Sequence, residues 1–150
     1  MVDIALYQPD IPQNVGATMR LAACMGADLH IIHPCGFPWD ERKIRRSGMD
    51  YADMLTLHTH NSWDQFKGAT TDRRLVLLTT KAAVDYCDFH FKPGDILLAG
   101  RESAGVPGDV HDAVHARVTI PMTGAARSLN VVNALSMVLG EAMRQTRPEK

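Results

Sequence analysis

Two unbroken apolar runs, Leu75–Leu78 and Ile96–Ala99, constrain the fold of this chain more than any other feature. A strand without polar positions has no face to give to solvent, so it must be buried on both sides. Strands buried in this way are typical of parallel sheets whose two faces are covered by helices. The runs therefore predict an α/β fold built on a mostly parallel sheet.

The rest of the chain alternates between strand-like and helix-like segments, as that fold requires. We predict strands at residues 2–7, 29–33, 75–80, 96–100 and 116–122, and a weaker edge strand at 56–60. Helices are predicted at 14–25, 40–48, 62–69, 107–114 and about 129–146. The chain shows no internal repeat or linker, so we expect one domain spanning residues 1–150.

Composition excludes several classes of protein. With 150 residues, 45% hydrophobic and 22% charged, the chain can bury a sizeable core. A net charge of −1 argues against non-specific coating of nucleic acid, so any RNA contact must use local basic patches. Three cysteines without a C-x-x-C pair, no span of about 18 apolar residues and no basic leader predict a cytoplasmic protein.

The histidines do not predict a metal site. His111 and His115 are four residues apart on a predicted helix, a spacing that metals use, but no third ligand is near them in the sequence. We interpret them as a solvated pair, and His58 and His60 on the predicted edge strand in the same way. No metal cofactor is therefore expected.

Three segments rich in glycine and polar residues follow predicted strands, where ligands bind in α/β sheets. In the first, Asn14 is predicted to cap a helix, and Gly16 and Arg20 share a face of that helix. A capped helix with a solvated arginine is the alternative.

The second segment, residues 100–108, contains Gly100, Glu102 and Gly105. Its glycines allow backbone groups to approach a ligand, but it matches neither a P-loop nor a dinucleotide-binding turn. The third segment, 122–130, ends where Ser128 or Asn130 would cap the last helix, whose N-terminal amides would face the loop. A simple glycine-rich turn and simple capping are the respective alternatives.

A short basic helix is a candidate phosphate-binding patch. Four cations follow Glu41 in the predicted helix 40–48, which gives residues 41–46 a net charge of +3: Arg42, Lys43, Arg45 and Arg46. In a nearly neutral chain such a cluster favours contact with phosphates, although a solvated face remains the alternative.

Taken together and in this order, the three segments resemble the SPOUT class of RNA methyltransferases. The matching positions are Asn14, Gly16 and Arg20, then Gly100, Glu102 and Gly105, then Ile120-Pro121-Met122, Arg127-Ser128-Leu129-Asn130 and Asn133. The resemblance covers nearly the whole chain. Residues 33–40, 45–51 and 78–81 are further similar to the tRNA (cytidine/uridine-34) 2′-O-methyltransferase subfamily. Arg101 departs from the pattern, because many relatives carry proline there.

The resemblance implies a C-terminal trefoil knot, a homodimer, and S-adenosylmethionine as methyl donor, with tRNA as the other substrate. Carried over by position, the donor would contact Leu78, Gly100, Ile120 and Ser128. The catalytic residues would be Arg20, Asn14, Glu102 and Asn130. The basic cluster, Arg42, Lys43, Arg45 and Arg46, would bind the anticodon stem-loop.

Other functions compatible with the sequence remain. One is 2′-O-methylation of another tRNA position or of ribosomal RNA. Another is a non-catalytic RNA-binding module of the same fold, although the joint presence of Asn14, Arg20, Glu102 and Asn130 argues against lost catalysis. A plain nucleotide-binding domain is disfavoured by the missing phosphate motifs.

Overall fold

The computed structural model of the chain describes residues 1–47, 49–82, 84–125 and 129–148. Six strands form one sheet in the order β3-β2-β1-β5-β4-β6, and every pairing is parallel. Their bounds are β1 Asp3–Tyr7, β2 Leu29–Ile32, β3 Leu57–His60, β4 Leu75–Leu78, β5 Ile96–Ala99 and β6 Ala116–Val118. The predicted parallel sheet is confirmed, and β3 lies at its edge as expected.

Helices cover both faces of the sheet. They are α1 Pro12–Met25, α2 Glu41–Ser47, α3 Trp63–Ala69, α4 Gly108–Ala113 and α5 Val131–Thr146, with a 3₁₀ helix at Met49–Met54. Alternate residues of β1 enter two separate cores. Ile4 and Leu6 pack with α1 and α5, whereas Ala5 and Tyr7 pack with α3 and α4. The central strands are therefore buried on both sides, as their apolar runs require.

The start of α1 differs from the prediction. The helix begins at Pro12, with Ile11 at the N-cap, so Asn14 lies inside the first turn and does not cap it. Proline suits a first helical position because its missing amide hydrogen needs no partner there. The side chain of Asn14 is thereby free for other contacts.

The start of α5 agrees with one of the two predicted caps. Asn130 Oδ1 accepts hydrogen bonds from the amides of Val132 (2.8 Å) and Asn133 (3.3 Å). The other candidate, Ser128, lies outside the described residues.

Strand β6 is shorter than predicted because the chain leaves the sheet after Val118. Thr119 pairs instead with the segment that follows β4: its amide donates to Val84 O (2.8 Å), and the amide of Tyr86 donates to Thr119 O (3.0 Å). These hydrogen bonds join the segment that follows β6 to the segment that follows β4 at one end of the sheet.

Neither pair of histidines has the arrangement predicted for it. His115 lies beyond the end of α4, and its Nδ1 accepts the amide of Leu75 at 2.9 Å, so it forms no helical pair with His111. His58 and His60 stack on buried His30 at the sheet edge, with ring centroids 4.5 and 5.2 Å from it. Periodicity along one strand could not predict that His30, on the neighbouring strand, would place these rings in register. Within the described parts of the chain, no group of three or more His, Cys, Asp or Glu residues is placed to hold a metal ion, and no helix is long and apolar enough to span a bilayer.

This stack predicts a loss of stability in acid. Burial, followed by the neighbouring His58 and His60, lowers the pKa of His30 to about 4, against about 6.5 in the unfolded chain. The unfolded state then binds more protons between these values, so the contribution is intact above pH 6.5 and is lost as the pH falls toward 4. We expect the His30 contribution to unfolding free energy to be about 2 kcal/mol lower at pH 5 than at pH 7.

Urea unfolding between pH 7.5 and 5 measures this effect. The unfolding free energy of the His30→Leu variant should depend less on pH, by about 2 kcal/mol between pH 7 and 5. The control variant His90→Gln, which replaces an exposed histidine, should keep the pH dependence of the wild type. Equal pH slopes for the wild type and His30→Leu would show that the stack does not stay neutral.

Candidate active site

A cavity of about 730 Å³ opens at the carboxyl end of the sheet. Its walls come from the first turn of α1, the segments that follow β4, β5 and β6, and the start of α5. The predicted residues that line it are Asn14, Leu78, Gly100, Glu102, Ile120 and Asn130. Its volume is within the range of about 300–1,000 Å³ common for small-molecule sites. The fold thus brings together residues from four distant parts of the sequence.

One wall of the cavity is a tight loop closed by backbone hydrogen bonds. The amide of Arg101 donates to Gly105 O (3.0 Å), and the amide of Gly105 donates to Arg101 O (2.8 Å). A Cβ at Gly100 would lie 2.7 Å from the carbonyl carbon of Gly105, and Gly105 itself has a φ of +62°. The two glycines are therefore required by close backbone approach and by a left-handed conformation.

A chain of side-chain hydrogen bonds connects three polar residues of the cavity, Asn14, Glu102 and Asn130. Asn14 Nδ2 donates to Glu102 Oε1 (3.2 Å), and Asn130 Nδ2 donates to Asn14 Oδ1 (3.3 Å). The cap of α5, the first turn of α1 and the loop after β5 are thus fixed relative to one another. Because the Asn14 side chain does not cap α1, its Oδ1 can accept the hydrogen bond from Asn130.

Asp10, which the sequence did not single out, holds Glu102 from the other side. The Asp10 amide donates to Glu102 Oε2, and the Glu102 amide donates to Asp10 Oδ1, both at 3.2 Å. The Ser103 hydroxyl also donates to the Asp10 carboxylate. These partners are separated by 92 residues in the sequence, so no local pattern could have revealed the pair.

The two carboxyl groups differ in acidity. A hydrogen bond from the Glu102 carboxyl, together with those from Ser103 and the backbone, lowers the pKa of Asp10 to about 2. Burial, and then the bond to Asp10, raises the pKa of Glu102. Glu102 is consequently the better proton acceptor of the two and the one that lines the cavity.

Arg20 does not join the described residues that line this cavity. It is exposed on α1, and its guanidinium carbon lies 5.1 Å from the ring centroid of Tyr51. Gly16 is buried, and Asn14 contacts Glu102 and Asn130 rather than Arg20. Asn14 and Arg20 are thus not hydrogen-bonded to each other within the described part of one chain.

The basic cluster lies on α2, which packs against α1 through buried Ile44. Asp40 Oδ1 accepts the amides of Arg42 (3.1 Å) and Lys43 (3.3 Å) at the helix start. Arg42, Lys43 and Arg46 are exposed, whereas Arg45 is half-buried and lies 3.5 Å from Glu41. The cluster thus presents most of its charge to solvent.

Comparison with known proteins places this geometry in a family. The model of the SpoU rRNA methylase family matches residues 1–140. A Beijerinckia indica protein named tRNA (cytidine(34)-2′-O)-methyltransferase is 57% identical over 144 residues, covering 95% of this chain and 90% of that protein.

Two solved structures have the same fold. One, described as giving structural insights into the 2-OH methylation of C/U34 on tRNA, has a TM-score of 0.90 at 38% identity, covering 97% of this chain and 95% of that one. The second is the SpoU methyltransferase AviRb of Streptomyces viridochromogenes in complex with the cofactor AdoMet, with a TM-score of 0.85 at 27% identity, covering 97% of this chain and 60% of that one. The resemblance found in the sequence is confirmed: this chain belongs to the SpoU rRNA methylase family.

Proposed function

We propose that this protein transfers the methyl group of S-adenosylmethionine to the ribose 2′-hydroxyl of nucleotide 34, the wobble position of tRNA. The observation that carries the proposal is the cavity in which Asn14, Gly100, Glu102 and Asn130 meet. It occurs in a chain that matches a relative named for this reaction over almost its full length.

The donor's place in the cavity follows from the strand ends. Leu78 and Gly100 stand at and just beyond the carboxyl ends of β4 and β5, and Ile120 follows β6. Backbone amides and carbonyls at such ends supply fixed donors and acceptors for a planar base. We assign donor binding to these residues and to Ser128, which lies outside the described part of the chain.

The reaction requires a positioned 2′-hydroxyl and a route for its proton. The sulfonium methyl is already electrophilic, so the protein's task is to align the ribose oxygen and to draw off its proton. Glu102, with its raised pKa, is suited to accept a proton, and Asn14 and Asn130 are placed to orient the ribose. Arginine stays protonated in proteins, so Arg20 is assigned to hold the RNA phosphate or to stabilise the forming alkoxide.

Because Arg20 lies outside the cavity of its own chain, we propose that it serves the cavity of a second protomer in a homodimer. One feature of the surface supports such an assembly. Large apolar side chains remain exposed near the cavity and on α5, with Ile11 39%, Leu129 40% and Met137 42% exposed. Ile11 and Leu129 lie beside Asn14 and Asn130 at the starts of α1 and α5, so a partner seated there would adjoin the reactive centre.

The basic cluster on α2 is proposed to bind the anticodon stem-loop. Arg42, Lys43 and Arg46 are exposed on a helix that packs against α1, and a shallow surface pocket formed by Pro12, Gln13, Lys43 and Ile44 joins the two helices. The start of α1 also lines the main cavity, so phosphates held on α2 would lead toward it.

We also propose that the C-terminal segment is knotted, as the family resemblance implies. In support, Thr119 pairs with residues 84–86, and Gln145 of α5 binds Phe89 O (3.0 Å) and the amide of Phe91 (2.9 Å). The chain before and after the third segment, residues 122–130, is thus hydrogen-bonded to the connection between β4 and β5. A cytoplasmic location is proposed because the tRNA substrate is found there.

Methyl transfer into a synthetic anticodon stem-loop tests the proposed function. Labelled S-adenosylmethionine should methylate the unmodified RNA, and replacing the nucleotide 34 ribose by deoxyribose should remove the label because the acceptor hydroxyl is gone. Undiminished labelling of the deoxy substrate would exclude the 2′-hydroxyl of nucleotide 34 as the acceptor and favour another atom of the stem-loop. No labelling of either RNA would favour an acceptor outside the stem-loop, at another tRNA position or in ribosomal RNA.

Asn14→Asp is expected to lower methyl transfer at least about tenfold. The change removes the amide that donates to Glu102 and places a carboxylate oxygen beside the Glu102 carboxylate. A hydrogen bond to a charged group contributes about 1.5–3 kcal/mol. Single-turnover rates measure the loss. Asn61→Asp, at an exposed loop position, is the matched control; equal rates for both variants would show that the link does not matter.

A further inference from the structure

Arg101 is held in a fixed orientation on the rim of the cavity. Its Nε donates to Gly105 O at 3.0 Å, and its guanidinium carbon lies 5.7 Å from the ring centroid of Tyr7. Tyr7 is buried and has Trp63 packed against it, so the platform under the guanidinium is rigid. Arg101 lines the cavity, and these two contacts orient its guanidinium.

The two terminal nitrogens of Arg101 have no hydrogen-bond or ion-pair partner in the described chain, although Nε is used. A guanidinium fixed through Nε and stacked on a ring presents its remaining N–H groups as a planar fork, which matches phosphate or carboxylate oxygens. The geometry therefore fits an anion.

The charge of the cavity wall decides which anion is favoured. Its charged residues within the described chain are Lys81, Arg101 and Glu102, and Glu102 is already engaged by Asn14 and Asp10. S-adenosylmethionine carries a sulfonium and an ammonium against one carboxylate, so two free cations do not favour it. RNA brings a negative charge with every nucleotide and is favoured by them.

We propose that Arg101 binds a backbone phosphate of the RNA substrate at the mouth of the cavity. The inference rests on the proposed function and adds a substrate-positioning residue to it. The guanidinium fixes the RNA strand beside the cavity while the donor occupies the interior.

Arg101→Ala tests the inference through the salt dependence of tRNA binding. The slope of log Kd against log salt should become shallower by about 0.7–0.9, the loss of one phosphate contact. Binding at physiological salt should weaken roughly tenfold, while the Kd for S-adenosylmethionine stays within about twofold of wild type. Lys92→Ala removes one exposed positive charge near the opposite end of β5 and should leave the slope unchanged.

Arg101→Lys separates the effect of the positive charge from that of the guanidinium geometry. It keeps the cation but not the planar fork, so it should preserve the salt slope while binding tRNA more weakly than wild type. An unchanged slope in Arg101→Ala would overturn the inference. So would a loss of donor affinity without a change in slope, which would assign Arg101 to the donor's carboxylate. A wild-type protein that methylates no RNA would instead refute the proposed function.

Discussion

Replacing Gly100 by alanine is expected to abolish donor binding and methyl transfer. The added methyl would lie 2.7 Å from the carbonyl carbon of Gly105 and 2.9 Å from its Cα, closer than Cβ atoms approach backbone. Both atoms belong to a loop closed by two backbone hydrogen bonds, so neither can move without opening it. The loop also carries Glu102, and its displacement would break the link to Asn14.

Calorimetry with S-adenosylmethionine and single-turnover methyl transfer measure the effect, and we expect at least about a hundredfold loss in each, equivalent to about 3 kcal/mol. Gly68→Ala is the matched control, because a Cβ at Gly68 meets nothing within 4 Å. A Gly100→Ala protein that binds the donor normally would mean that the wall formed by this loop is not part of the donor site.

Arg20→Ala is expected to lower the rate of methyl transfer at least about a hundredfold while donor affinity is unchanged. The guanidinium is assigned to the RNA phosphate or to the developing alkoxide, so its removal affects the transition state. It lies outside the cavity-lining residues described for its own chain, so the donor should bind as before. Retained turnover would remove Arg20 from the mechanism.

Mixing two inactive variants tests whether Arg20 acts across the dimer. When Arg20→Ala and Gly100→Ala protomers are exchanged at equal amounts, half of the dimers are mixed, and each mixed dimer regains one complete site of two. About a quarter of wild-type activity should therefore return. No recovery after verified exchange would contradict action across the dimer.

The sequence predicted the sheet well because its signal is local. Leu75–Leu78 and Ile96–Ala99 are apolar at every position, and a strand with that pattern has one stable environment. The predicted start of α1 is two residues too late, because Asn14 is a residue type that often caps helices. Proline is equally common at the first position of a helix, and α1 begins at Pro12.

Glycine and capping patterns indicated the loops that contain Asn14, Gly100 and Asn130, and the family resemblance implied Leu78, Glu102 and Ile120. Neither could show how these residues are connected. Asp10 and Glu102 lie 92 residues apart, and Asn14 and Asn130 lie 116 apart, so only the folded chain brings these groups together. The same holds for His30, which joins His58 and His60 through the register of two strands. Arg20 differs from these cases, since its proposed partner lies in another protomer.

The position of the methyl group on tRNA tests the central claim most directly. Total tRNA from a strain lacking this protein should be incubated with purified protein and S-adenosylmethionine, digested, and analysed by mass spectrometry of the fragments and nucleosides. The account predicts a new methyl group on the ribose of a cytidine or uridine at nucleotide 34. A methyl group on a base, or on the ribose of a different nucleotide with nucleotide 34 unmodified, would contradict it.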